Sequence, residues 1–209
     1  MEAHEIAERI HEDAHEEHHA AARPSRETVF RRITAIYVGV VAMLLAIATL
    51  GGAEATKEML NANIHASDTY AFYQAKNIRQ TLYQTSTAEL ELLAAGAAAL
   101  SESDKTKAAE LIKRHRDIIA RYESEPATGE GKKELMAKAK EWEHKRDHAA
   151  EQLPNFEYAE AAFQIAIVLG SVAIVAASPA LLGVSGVLAV LGVLLTLNGY
   201  LLLVPLGHG

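Results

Sequence analysis

The sequence predicts an all-α membrane protein in which three transmembrane helices carry a long helical stalk and a coiled-coil-like helical insert between the first and second spans. Three observations lead there. Three very apolar blocks are separated by one very polar block, so that a chain of 209 residues is 50% hydrophobic and yet 22% charged. From Thr28 to Leu100 there is no proline, and the run begins as a membrane span and continues as a charged, polar helix. Only 6% of residues are aromatic, and Val and Ile are scarce outside the apolar blocks, which disfavours strands.

The first 24 residues are acidic and rich in histidine, with Ile6 and Ile10 as a thin apolar face, and read as a surface helix or an unstructured tail. On a helix His11, His15 and either His18 or His19 share one face, a spacing that suits Zn²⁺, Ni²⁺ or Cu²⁺. The spacing matches no closed structural zinc site, so the expectation is weak or buffering binding of a divalent metal. Proton sensing near about pH 6.5 is an equally open reading.

Residues 25–53 form the first span. Arg23-Pro24-Ser25 breaks the preceding segment, and Ser25 or Thr28 can cap the new helix. Ile33 to Ala53 carries no charge and reaches about 31 Å, enough for a hydrocarbon core of about 30 Å. Arg23, Arg26, Arg31 and Arg32 crowd its amino side, while Glu54, Lys57 and Glu58 follow it. The positive-inside rule then places the N-terminus in the cytoplasm. A cleaved signal peptide is the competing reading, because Gly51-Gly52-Ala53 is small enough for a cleavage site. The apolar core is longer than the usual 7–15 residues, and too many residues precede it.

Residues 54–100 continue as a stalk, with Gly51-Gly52 as the one potential kink. An unbroken helix from Thr28 to Leu100 would be roughly 110 Å long, about 70 Å of it outside a bilayer. So long a helix is not stable alone in water and needs partners, within the chain or between copies. Leu60, Ile64, Ser67, Ala71, Gln74, Ile78, Thr81, Thr85, Ala88, Leu92 and Ala95 recur at alternating spacings of three and four, a heptad seam with small and polar members. Packing between helices is the expected use, and a polar path lined by parallel copies is the alternative. Tyr70, Tyr73, Lys76, Arg79 and Tyr83 make an adjoining aromatic and basic patch, read as inter-helix contact with acids such as Glu89, or as a site for an anion or lipid head group.

Two return helices are expected over 103–124 and 132–153. Ser101-Glu102-Ser103-Asp104 is a strong start, and Ala108, Leu111, Ile112, His115, Ile118, Ile119 and Tyr122 share one face. Pro126 to Gly131 breaks that helix, after which Leu135, Ala139, Trp142, Arg146, Ala149 and Leu153 recur at heptad spacing.

Residues 154–209 form a transmembrane hairpin. Pro154 marks a bend, Phe156 to Ala177 is the second span, Ser178-Pro179 the turn, and Ala180 to Val204 the third span, ended by Pro205. Residues 54–156 and the C-terminus are then periplasmic or extracellular. Glu157, Glu160 and Gln164 lie on one face at the start of the second span. At the interface the two carboxylates need no explanation. Deeper, Glu160 and Gln164, with Asn198 of the third span, would suit a cation or a proton relay, whereas Asn198 alone reads as an interhelical hydrogen bond. The small residues Ala162, Ala166, Gly170, Gly183, Gly186, Gly192 and Gly199 read as close helix packing.

At His65-Ala-Ser-Asp68-Thr-Tyr-Ala-Phe-Tyr73-Gln74-Ala75-Lys76-Asn-Ile78 and at Phe156-Glu-Tyr-Ala-Glu160-Ala-Ala-Phe163-Gln164-Ile-Ala-Ile167, the chain resembles a bacterial family catalogued as domain of unknown function 4337. The resemblance covers roughly Arg31 to Val204 and implies a small inner-membrane protein, with no established activity to transfer. Family members usually carry basic residues between the last two spans, where this chain has Ser178-Pro179-Ala180. The His-rich segment lies outside the resemblance.

Several function classes drop out. A net charge of -7 without a dense basic patch argues against nucleic acid. The absence of cysteine excludes disulfides, thiolate zinc sites and thiol nucleophiles. No nucleophile stands beside a general base in a recognisable motif, and no Gly-rich phosphate loop precedes a helix, so an enzyme is not expected. The leading expectation is a structural inner-membrane protein whose partners are the bilayer and copies of itself, with Leu60, Ile64, Ala71, Gln74, Ile78, Thr85 and Leu92 in the oligomer seam. A channel or transporter with a path past Glu160 and Gln164 is the alternative, and a metal-binding protein acting through its histidine tail is the third reading. No cofactor is expected beyond a weakly held divalent metal.

Overall fold

Ser25 opens the first helix by accepting the Thr28 N–H on its hydroxyl at 3.2 Å, as a serine just before a helix does. In the computed structural model, which describes residues 25–96 and 101–206, that helix continues without interruption. Among the described residues the architecture is all-α, with α1 over Arg26–Gly96, α2 over Glu102–Glu123, α3 over Lys132–Ala176 and α4 over Pro179–Leu201. Of these, α1, α3 and α4 contain stretches long and apolar enough to cross a membrane.

The Gly51-Gly52 pair does not interrupt α1, which runs for 71 residues. Pro154 does not separate a return helix from the second span either. The expected boundary at 153/154 falls inside α3, a single helix of 45 residues. A proline within a helix forfeits one N–H bond and crowds the carbonyl four residues back, which bends a helix more readily than it ends one when neighbours hold the next turn. Here the buried Asn155 accepts a hydrogen bond from Asn198 at 2.6 Å. The third span is also shorter than expected. It ends at Leu201, because Leu202 turns left-handed (φ 46°) and the Asn198 side chain bonds both the N–H and the C=O of Val204. Ala177 (φ 45°) ends α3 in the same left-handed conformation, and the Ser178 N–H reaches back to the Ala173 carbonyl at 3.2 Å.

The described residues divide into two compact units, one built from residues 25–53 and 152–206, the other from within Glu54–Glu151. In the first, many Val, Leu, Ile and Met side chains face outward, while alanines and glycines, with Phe156, Phe163 and Val41, face inward. Val175 is 80% exposed and Met43 70%, whereas Ala48, Ala159, Ala166 and Ala173 are fully buried. This inversion suits a lipid surround, where helices gain by close packing rather than by hiding leucines from solvent. Phenylalanines fill notches left by glycines. A Cβ on Gly192 would lie 2.7 Å from the Phe163 ring, and one on Gly51 or Gly199 would lie 2.5 or 2.9 Å from Phe156. The hydroxyls of Thr34, Ser171 and Thr196 bond carbonyls one turn back on their own helices, which satisfies them without water.

The second unit packs α1 against α2 and α3. Its inward positions on α1 are Ala55, Met59, Ala62, Ala66, Thr69, Tyr73, Lys76, Gln80, Tyr83 and Thr87, all buried or half-buried and spaced alternately by four and three. Against them stand the half-buried face of α2 and, on α3, Leu135, Ala139 and Ala149, in the heptad that the sequence indicates. Ser101 caps α2 by accepting the Asp104 N–H at 3.2 Å.

Candidate functional site

The stalk carries two heptad stripes. The stripe that contacts α2 and α3 is the one from Ala55 to Thr87, and Leu60, Ile64, Ala71, Gln74, Ile78, Thr85 and Leu92 belong to the other. Matching positions, such as Ala55 and Leu60, differ by five residues, which is about 140° around a helix. All of the expected seam residues are exposed within the protomer, with Leu60 at 53%, Ile78 at 62% and Leu92 at 76%. Ser67, Thr81, Ala88 and Ala95 continue the same exposed and uncharged line.

The inward stripe ends in a polar junction of three helices. Gln80 of α1 donates from its amide nitrogen to the Ile119 carbonyl and to Glu123 of α2, both at 3.1 Å. Its amide oxygen accepts from Lys132 of α3 at 2.7 Å. Lys132 also pairs with Glu123 at 3.3 Å and sits 5.8 Å from the Tyr73 ring. Lys76, buried with a side chain 8% exposed, reaches Glu130 at 3.4 Å and lies 5.3 and 5.4 Å from the Phe72 and Tyr122 rings. The Gln80 amide, and after it the Lys132 ammonium, hold the Glu123 carboxyl below its ordinary value, against a smaller opposing effect of burial. Close by, Glu134 accepts from the Ser124 hydroxyl at 2.6 Å and from the Glu125 N–H at 3.1 Å, and the first of these leads in lowering its pKa. The aromatic and basic patch of the stalk is thus divided. Tyr73, Lys76 and Tyr83 turn inward, Tyr70 is half-buried and Arg79 stays exposed. The acid that meets Lys76 is Glu130, across the fold.

The sequence gives no motif for Gln80, Lys132, Glu123 or Glu134. For Gln80 alone a signal is present, in the spacing of Thr69, Tyr73, Lys76, Gln80, Tyr83 and Thr87, a heptad whose members are polar and which a search for apolar seams passes over.

The polar side chains expected in the membrane do not form one site. Glu157 and Gln164 are exposed, Glu160 is half-buried beside Gly52, and Asn198 joins Asn155 and Val204 instead of the glutamates. A second polar link in this unit was not expected: the Tyr37 hydroxyl lies 2.9 Å from the Ser185 hydroxyl, which donates to the Ala166 carbonyl at 2.6 Å. It joins α1, α4 and α3. His11, His15, His18 and His19 lie outside the described residues. Among the described residues no group of three or more His, Cys, Asp or Glu gathers where it could hold a metal ion.

No curated protein and no solved structure matches the chain. A family does: residues 30–202 match the domain of unknown function DUF4337. That stretch includes both quoted motifs, the two heptad stripes, the three-helix junction and nearly all of the three long helices that carry apolar stretches. The chain belongs to the DUF4337 family.

Proposed function

We propose that this protein is a structural, scaffolding component of the bacterial inner membrane that assembles as a homo-oligomer through the outward stripe of α1 and presents its helical unit of residues 54–151. One observation carries the reading. The stalk has two heptad stripes about 140° apart, and its own chain fills one of them while the uncharged other is left exposed. Copies inserted in one membrane with one orientation run parallel, so matching positions of the stripe meet in register, with Gln74, Thr81 and Thr85 available to fix it.

The lack of native cysteine makes the test direct. Single cysteines at Ile78, on the stripe, and at Gln84, exposed but off it, are placed in the full chain and oxidised in native membranes. Ile78→Cys is expected to give a disulfide-linked dimer, and Gln84→Cys none. Equal linkage at both sites, or a monomer by native mass spectrometry in mild detergent, overturns the proposal.

One observation favours a second reading, an oligomeric channel or transporter. Gln164 and Glu157 are exposed near the start of the apolar stretch of α3, where an outward polar group is costly in lipid unless it meets another copy or a wet path. Ion flux into liposomes that falls with Glu160→Gln and with Gln164→Leu supports that reading. Flux unchanged by both removes it.

A further inference from the structure

Beside the junction, α1 and α2 leave an open cleft of about 540 Å³ lined by Arg79, Leu82, Tyr83, Ser86, His115 and Tyr122. All of these belong to the unit of residues 54–151 and to one copy of the chain. Its polar groups are unspent. Neither the Arg79 guanidinium nor the Ser86 hydroxyl bonds a described residue, and the enclosed Nδ1 of His115 has no hydrogen-bond partner among them. This contrasts with the neighbouring junction, where Lys76, Gln80, Lys132 and Glu123 are mutually satisfied. The walls are aromatic, with the Tyr83 ring meeting His115 edge-on at 5.1 Å and Tyr122 at 6.0 Å. Among the described residues no carboxylate lines the cleft, and the buried Lys76 ammonium stands 5.4 Å from the Tyr122 ring. A cationic fork, a hydroxyl and flat apolar walls without an opposing acid fit a small anion with an apolar body: the acid on Arg79 and Ser86, the body against Tyr83, Tyr122 and Leu82.

We propose that the α1–α2 cleft binds a small organic anion, a phosphate monoester or a carboxylate bearing a flat apolar group, with Arg79 as its charge partner.

The test uses the full chain in phosphatidylcholine nanodiscs and three probes: phenyl phosphate, inorganic phosphate and benzyl alcohol. Saturation-transfer NMR and calorimetry are expected to show phenyl phosphate binding more tightly than either half of it. Arg79→Gln, at an exposed position, is expected to weaken phenyl phosphate about tenfold or more and to leave benzyl alcohol unchanged, as loss of a charge-assisted bond does. Tyr122→Leu should weaken both. If phosphatidylglycerol added to the nanodisc competes with phenyl phosphate, the anion is a lipid head group; if affinity is unchanged, it is a free solute. Either result retains the site. No response to millimolar phenyl phosphate overturns the proposal, as does equal binding by Arg79→Gln. An Arg79→Gln protein with altered subunit number and no phenyl phosphate response assigns the guanidinium to a neighbouring copy, and overturns it too.

Discussion

Gly192 is held against the Phe163 ring so closely that an added methyl would lie within 2.7 Å of it, while Gly183 and Gly186 on the same helix have open space where a Cβ would go. Glycines that look alike in the sequence therefore differ in use. Gly192→Leu is expected to destabilise the transmembrane unit by about 1–3 kcal/mol or to displace α4, as overpacking does. Gly183→Ala and Gly186→Ala should be near neutral, and unfolding in detergent by a chemical denaturant separates the cases. The sequence announces that small residues let these helices approach, because their spacing is visible. It does not announce which of them faces a phenylalanine, since that depends on the rotation of one helix against another. Asn198 teaches the same lesson. Its character as an interhelical hydrogen bonder was legible, but its partner Asn155 lies just after Pro154, where a bend was expected and a continuous helix is found.

For the helices, the acid side of the pH range probes the three-helix junction. Glu123 titrates below the ordinary 4.5, so it binds fewer protons folded than unfolded. The stability it contributes is therefore present above that value and is lost as pH falls through the lower folded value. Glu134, lowered by Ser124, acts in the same direction. The protection of α2 amides relative to their intrinsic exchange rate should accordingly fall on acidification below about pH 4.5. Gln80→Leu removes the leading cause of the Glu123 shift and leaves Lys132 short of an acceptor. It is expected to cost about 1–3 kcal/mol and to flatten the acid-side loss. An unchanged pH profile in Gln80→Leu would show that the junction is not what holds α2. Helix existence, the heptad of α3 and the Ser101 cap were all readable, because each follows from local spacing. The inward stripe of α1 was not, because Thr69, Lys76 and Gln80 look like surface residues until glutamine, lysine and glutamate from three helices satisfy one another.

For the molecule as a whole, the arginines before the first span and the acids after it predict a cytoplasmic N-terminal side and an external 54–151 unit. Lys57→Cys should react with a membrane-impermeant maleimide added to spheroplasts, and Arg26→Cys should react only after lysis. The reverse pattern would invert the orientation and place the 54–151 unit in the cytoplasm. The two units also differ in what holds them together, and heat capacity is where the difference emerges. The 54–151 unit buries apolar surface from water, so its unfolding should carry a positive heat-capacity change, with stability that declines on cooling as well as on heating. In the unit of outward Val and Leu and inward Ala, Gly and Phe, apolar groups exchange one oily neighbour for another when the helices part. Calorimetry in lipid should find its unfolding enthalpy nearly independent of temperature, so cooling tightens the spans while it loosens the helices beyond them.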